Sequence, residues 1–274
     1  MKIVTFATLK GGVGKTMLCF NVGGVLSGRG YKVLIIDSDL QGNLTNNMGL
    51  DRTKKLLTLY EVYNLDISPP LQPMALVCIS PNTRMPRVDL LASSFFLHKA
   101  EQRLSVVGEY GQGEPELILR KYILEHRDFF KKYDYVLIDT NPSMGVINRN
   151  AFAVSDSILL VSDVSMNAIE GAQLFIALWD EARNRLGLPD RIRGFILNDC
   201  DWRTNLSHDF VEYIRTDPGV EDIRALMMET IIPRTVKITE SELAALPVRL
   251  YDERSKGAAA IDALVDELTY KKIL

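Results

Sequence analysis

Seven consecutive residues, Lys10-Gly11-Gly12-Val13-Gly14-Lys15-Thr16, carry the strongest chemical signal in the chain. The glycines let backbone N–H groups turn inward around an anion, Lys15 supplies a point charge to β- and γ-phosphate oxygens, and the Thr16 hydroxyl can ligate Mg²⁺. A strand pattern precedes these residues and a helix pattern follows, so the positive end of a helix dipole adds to the site. That context turns a glycine-rich turn into a phosphate-binding loop. It departs from the general pattern in one respect: Leu9 stands where a glycine is usual, five positions before Gly14, and a second lysine, Lys10, follows it. Further candidates for chemistry are Asp37 and Asp39 after a second apolar run and Asp139 after a third. Acids at the carboxyl ends of buried strands lie at the sheet edge where α/β proteins bind ligands.

These residues need a scaffold. Residues 3–7 read as a buried β-branched strand, and from Lys15 a helix follows with Leu18, Val22, Val25 and Leu26 on one side, closed by Gly28 and Gly30. Lys32-Val33-Leu34-Ile35-Ile36-Asp37 completes a strand, helix, strand unit, which pairs parallel through a right-handed crossover. Strand patterns recur at 135–139, 157–161 and 194–198, with helical stretches at 168–185 and 205–215. Near-continuous apolar strands alternating with helices predict an α/β fold: a P-loop NTPase-like twisted, mostly parallel sheet with helices on both faces. Residues 51–115 are the least legible, with Pro69, Pro70, Pro73, Pro81 and Pro86 suggesting loops around short strands. Without a composition shift or an internal repeat, residues 1–274 read as one domain.

Composition narrows the function. The 274 residues carry 32 Lys plus Arg against 35 Asp plus Glu, a formal charge of −3, so nucleic-acid contact requires a local patch rather than bulk charge. Residues 183–256 are nearly balanced in charge, but 230–239 hold Arg234 and Lys237 with no acid. Cys19, Cys78 and Cys200 lack the paired spacing of zinc or redox motifs and read as small thiols in a reducing cytosol. The N-terminal apolar run is too short for a signal peptide, and no stretch reaches the roughly 18 apolar residues of a spanning helix. A soluble intracellular protein is expected.

The loop with its second lysine resembles that of the deviant Walker A ATPases of the ParA/MinD group, and ordered motifs extend the likeness to ParA/Soj proteins. Asp37-Ser38-Asp39-Leu40-Gln41-Gly42-Asn43-Leu44-Thr45 is similar to the segment after the second strand, and residues 133–145 to the Walker B strand and its loop. Residues 201–207, Ile232-Pro233-Arg234-Thr235-Val236-Lys237 and 251–258 match further stretches in the right order. The resemblance implies an Mg-dependent ATPase that hydrolyses ATP to ADP and phosphate. Lys10, Lys15 and Asp39 would then be catalytic, with Lys10 reaching the nucleotide of a second subunit and Asp39 positioning water. Gly11, Gly12, Val13, Gly14, Lys15, Thr16 and Met17 would hold the phosphates, and Thr16, Asp37 and Asp139 the metal. The base would pack near Asn198, Pro233 and Arg234; Asn198 reads equally as an adenine contact or as a turn residue. Arg203, Arg234 and Lys237 would touch DNA without sequence preference, although Arg234 could serve either ligand. The family cycle implies a homodimer formed on ATP, a ParB-like activator, and a cytoplasmic, nucleoid-associated protein in plasmid or chromosome segregation.

The alternatives share the nucleotide chemistry. A MinD-like membrane ATPase needs a C-terminal amphipathic anchor, but the tail from 258 to 274 sets Asp262, Asp266 and Glu267 opposite its apolar face, which fits a helix packed on the sheet and no stable membrane anchor. ParA-like positioning of a non-DNA cargo is the other alternative. A nitrogenase-reductase-like protein requires cluster-binding cysteines, absent from the loop after Asp139; a related small-molecule ligase or kinase would need a dedicated pocket that no residues mark. Met17, Leu40, Thr140-Asn141 and residues 241–246 depart from the usual ParA residues. The chain starts directly at its first strand, so an N-terminal helix-turn-helix extension is not expected.

Overall fold

A computed structural model describes residues 1–50, 58–64, 85–109, 113–165 and 167–274. Cys78, Pro69, Pro70, Pro73 and Pro81 fall outside them. Within these residues the chain builds a six-stranded sheet from β1 (Lys2–Ala7), β2 (Val33–Asp37), β3 (Val88–Leu91), β4 (Tyr135–Asp139), β5 (Ser157–Ser162) and β6 (Ile192–Leu197). Their spatial order is β3-β2-β4-β1-β5-β6, and every neighbouring pair runs parallel.

Alternate residues of each strand feed two cores. In β2 and β4, Leu34, Ile36, Val136 and Ile138 join one apolar cluster, while Val33, Ile35 and Leu137 join the other. A strand buried on both faces has no polar alternation to show, which is why these segments read as continuous apolar runs. The first cluster is covered by the helices Val146–Val154 and Asn167–Arg185, the second by α1 (Lys15–Gly28) and the C-terminal helix Lys256–Tyr270. Register brings Asp37 opposite Asp139, and Phe6 opposite Asp139 on the other side. The carboxyl ends of β1, β2 and β4 therefore meet at one edge.

The expected helix boundaries agree closely with those observed at Lys15–Gly28, Asn167–Arg185 and Asn205–Thr216. Within 51–115, read as loops around short strands, the short edge strand β3 fits, whereas the helices Leu59–Tyr63 and Leu97–Glu109 stand where loops were expected; the helix Asn43–Asn47 was not foreseen. The C-terminal helix, capped by the Ser255 side chain, seats Ile261, Leu264, Val265 and Leu268 in the core beside α1. Its acidic face is taken up by ion pairs: Asp266 with Arg29, Asp262 with Arg249 and Glu267 with Lys271. Among the described residues no helix is long and apolar enough to cross a membrane.

Candidate nucleotide site

The loop leaving β1 becomes a cradle through two left-handed glycines, Gly12 at φ 77° and Gly14 at φ 91°, with Gly14 as the N-cap of α1. A side chain on Gly14 would be excluded on two grounds: L residues avoid this φ, and a Cβ would lie 2.1 Å from Asn198 Nδ2. Lys15 then starts the helix with only 6% of its surface exposed. Burial holds its pKa below the usual lysine value, while the charges of Asp139 and Asp39 oppose that shift. The ammonium thus belongs to a compact cluster of one cation and several carboxylates.

Thr16 Oγ1 donates to Asp139 Oδ2 at 2.7 Å, and Asp139 Oδ1 is buried with no hydrogen-bond partner. Burial, then the neighbouring Asp37 charge, raises the Asp139 pKa well above the carboxylate range. Burial raises Asp37 as well, against the bonds it accepts from Thr45 Oγ1 (2.6 Å), Thr45 N (2.8 Å) and Asp39 N (3.1 Å). An orphaned carboxylate oxygen, a second buried carboxylate and a threonine hydroxyl form a hard oxygen donor set at the head of a phosphate cradle, and this set fits Mg²⁺. Two residues of a continuing strand would share a face, but β2 ends at Asp37, and the turn that follows, in which Asp39 N donates to Asp37 Oδ1, sets Asp39 on the cleft. Its Oδ1 accepts from Gln41 N at 2.8 Å, and it lines a cavity of about 430 Å³ together with Gly11, Lys15, Thr16, Asn198 and Arg234.

The far wall comes from the end of β6. Asn198 donates from Nδ2 to the Val13 carbonyl at 2.8 Å, and its Oδ1 is buried without a partner. Its amide nitrogen therefore holds the phosphate loop to β6, a role that neither of the two sequence readings contained. Asp199, in the left-handed region at φ 56°, accepts a forked pair of bonds from Arg234 at 2.6 and 3.0 Å. A parallel bridge between Cys200 and Pro233 keeps Pro233 and Arg234 at the cleft. Met17 also borders the cleft.

Lys10 does not line the cleft; its Nζ contacts Asp163 at 2.6 and 2.8 Å and Ser165 at 3.1 Å. Arg203 and Lys237 lie outside it too. Arg203 is paired with Asp201 at 2.7 Å, and Lys237 with Glu240 at 2.8 Å. The absence of an acid within 230–239 therefore does not leave a free patch, because Glu240 and Asp199 reach back to its two cations. Sequence reasoning also missed Thr45, which fixes Asp37, and Asn43, Pro142, Ile238, Thr239 and Glu242 on the cavity wall. A threonine or glutamate inside a helix carries no local mark of such a role.

Residues 1–188 match the family described as AAA domain. The chain is 30% identical to the chromosome-partitioning ATPase Soj of Treponema pallidum, over 97% of its own length and 96% of that protein's. The chain belongs to the ParA/Soj family of ATPases. Another member of this likeness, the chromosome partitioning protein ParA of Caulobacter vibrioides, is 29% identical over 98% of the chain and 94% of its own length. A solved structure titled cobyrinic acid a,c-diamide synthase from Mycobacterium smegmatis, with bound ATP analog and magnesium, superposes with a TM-score of 0.76 at 25% identity, covering 98% of this chain and 94% of that one. As a ParA/Soj-family member the chain is a P-loop ATPase whose cofactors are ATP and Mg²⁺.

Proposed function

We propose that the chain is a single-domain partition ATPase of plasmid or chromosome DNA, cycling between an acidic monomer and an ATP-bound homodimer that binds DNA without sequence preference. A ParB-like partner would trigger hydrolysis and release, in a cytoplasmic, nucleoid-associated cycle. The observation that carries this reading is the meeting, at one sheet edge, of Lys15, Thr16, Asp39 and Asp139 in a chain whose partition-protein relatives align from end to end.

In this reading Gly11 to Met17 hold the phosphates by backbone N–H groups, and Thr16 and Asp139 hold Mg²⁺ with Asp37 behind them. The metal offsets charge that develops on the transferred phosphoryl group. Asp39, facing the cleft, orients the attacking water. Asn198, Pro233 and Arg234 flank the base. Phosphoryl transfer of this kind relies on positioning and charge, so a second subunit that completes the site is a natural control point.

Lys10 is the residue through which that completion would act. Its pair with Asp163 is partly exposed, a setting in which ion pairs contribute about 0–1 kcal/mol, so it can be exchanged for a nucleotide phosphate across an interface. Lys10→Ala is expected to remain monomeric in size-exclusion chromatography with ATP under conditions where the parent chain elutes as a dimer. Unchanged dimerisation would remove Lys10 from the cross-subunit role.

Arg203, Arg234 and Lys237 supply a few phosphate contacts per subunit, doubled by the two-fold axis. Retention on nonspecific DNA, measured across a salt series with ATP, with ADP and without nucleotide, should appear only with ATP and weaken as salt rises. Retention that ignores the nucleotide, or binding to liposomes in place of DNA, would overturn the reading.

A further inference from the structure

The loop that follows Asp139 is held from beneath by one buried amide. Asn148, in the helix Val146–Val154, has no exposed surface. Its Nδ2 lies 2.8 Å from the Asn141 carbonyl, 2.7 Å from Asn141 Oδ1, 2.8 Å from the Ser143 carbonyl and 3.2 Å from Ser143 Oγ. Four oxygens surround a group with two hydrogens. They fix the orientation of the amide, because the flipped side chain would set its own oxygen against all four. The opposite atom, Asn148 Oδ1, is buried without a partner, so the amide is committed to the loop at the expense of its own acceptor.

The loop is further bound to itself: Ser143 Oγ donates to Asn141 Oδ1 at 2.6 Å, and Gly145 N donates to Ser143 Oγ at 3.2 Å. Between the two anchored residues sits Pro142, which borders the phosphate cavity. Its Cγ would be 3.8 Å from a Cβ placed on Gly11. The position of the cavity rim over the phosphate loop thus follows from where Asn148 holds Asn141 and Ser143.

We propose that Asn148 is a positioning residue for ATP hydrolysis, its amide fixing the loop 141–145 against the phosphate cradle. The cradle itself does not depend on this loop: its glycines, Lys15 and Thr16 are set by β1 and α1. Loosening the rim therefore leaves ground-state nucleotide binding in place and removes alignment needed only during transfer, where small misplacements are costly.

Two variants test this on the full chain. Asn148→Asp keeps the volume and replaces the donor with an oxygen, and Asn141→Ala removes one acceptor at the loop end of the clamp. Both are expected to lower kcat for ATP by about tenfold or more with KM within about threefold. Asn141→Ala should remain folded with a melting temperature lowered by a few degrees, and it decides the matter alone if Asn148→Asp does not fold. The double variant should lose less than the product of the single losses, because both act on one contact. An unchanged kcat in Asn141→Ala overturns the assignment. So does a fall in kcat matched by an equal loss of folded protein, or one that disappears at higher protein concentration and so traces to association. Because these readouts need only ATP hydrolysis, their failure is separable from failure of DNA binding.

Discussion

Replacing Lys15 with alanine should reduce ATP hydrolysis by on the order of a thousandfold, the loss seen when one fixed donor to a developing charge is removed from a dry site. The expectation rests on where the ammonium sits. Lys15 is nearly buried, it is the first residue of α1, and the charges of Asp139 and Asp39 oppose the lowering of its pKa by burial. A lysine so enclosed can serve the phosphates without reorganising. Removing it also leaves Asp39 on the cavity wall and the buried Asp139 without the ammonium beside them, so affinity for ATP should fall together with turnover. Lys15→Arg should not restore activity, since a planar guanidinium does not fit the space of a compact ammonium. Hydrolysis within about threefold of the parent chain in Lys15→Ala would mean that this lysine does not serve the phosphates.

The second large effect concerns Gly14→Ala. The φ of 91° costs an L residue about 1–2 kcal/mol, and the added methyl group would stand 2.1 Å from Asn198 Nδ2. Asn198 is not a free surface group that can swing aside, because its Nδ2 already holds the Val13 carbonyl. Relief requires moving either the phosphate loop or the end of β6, and overpacking of a rigid site typically adds about 1–3 kcal/mol. We expect Gly14→Ala to unfold at about 2–5 kcal/mol lower stability in urea, and to bind a fluorescent ATP analogue too weakly to saturate. Gly28→Ala is the control: this glycine lies outside the left-handed region and a methyl group added to it would meet nothing within 4 Å, so stability should hardly change. A Gly14→Ala protein as stable as the control, with normal nucleotide affinity, would show that the observed close approach is not maintained in solution.

Much of the site could be read from sequence because it is local. The phosphate loop is contiguous, and Asp37 and Asp139 are marked by the buried strands they end, so type and position coincide in one short stretch. Within 51–115, where short strands were expected, β3 could not be placed because it has only four residues and carries Asp89, which accepts from the Tyr133 hydroxyl rather than standing exposed as its type suggests. The partners of the legible residues were harder. Asp163 is far from Lys10 in sequence, and Asn198 farther still from Val13, and no periodicity reports such meetings. Arg203 and Asp201 are close in sequence, yet their types alone allow a solvated pair or two independent side chains. What remained hidden was who occupies each charged group, which depends on tertiary distances rather than on motifs.

The three cations proposed for DNA each arrive already neutralised: Arg203 by Asp201, Arg234 by Asp199 and Lys237 by Glu240. A phosphate that binds there replaces a carboxylate, and that carboxylate must recover its own shell of small cations from solution. Each contact would then liberate fewer counterions in total than a contact made by an unpaired lysine or arginine. The salt slope of DNA binding should accordingly be shallower than the number of phosphates touched, so counting contacts from the slope would undercount the interface.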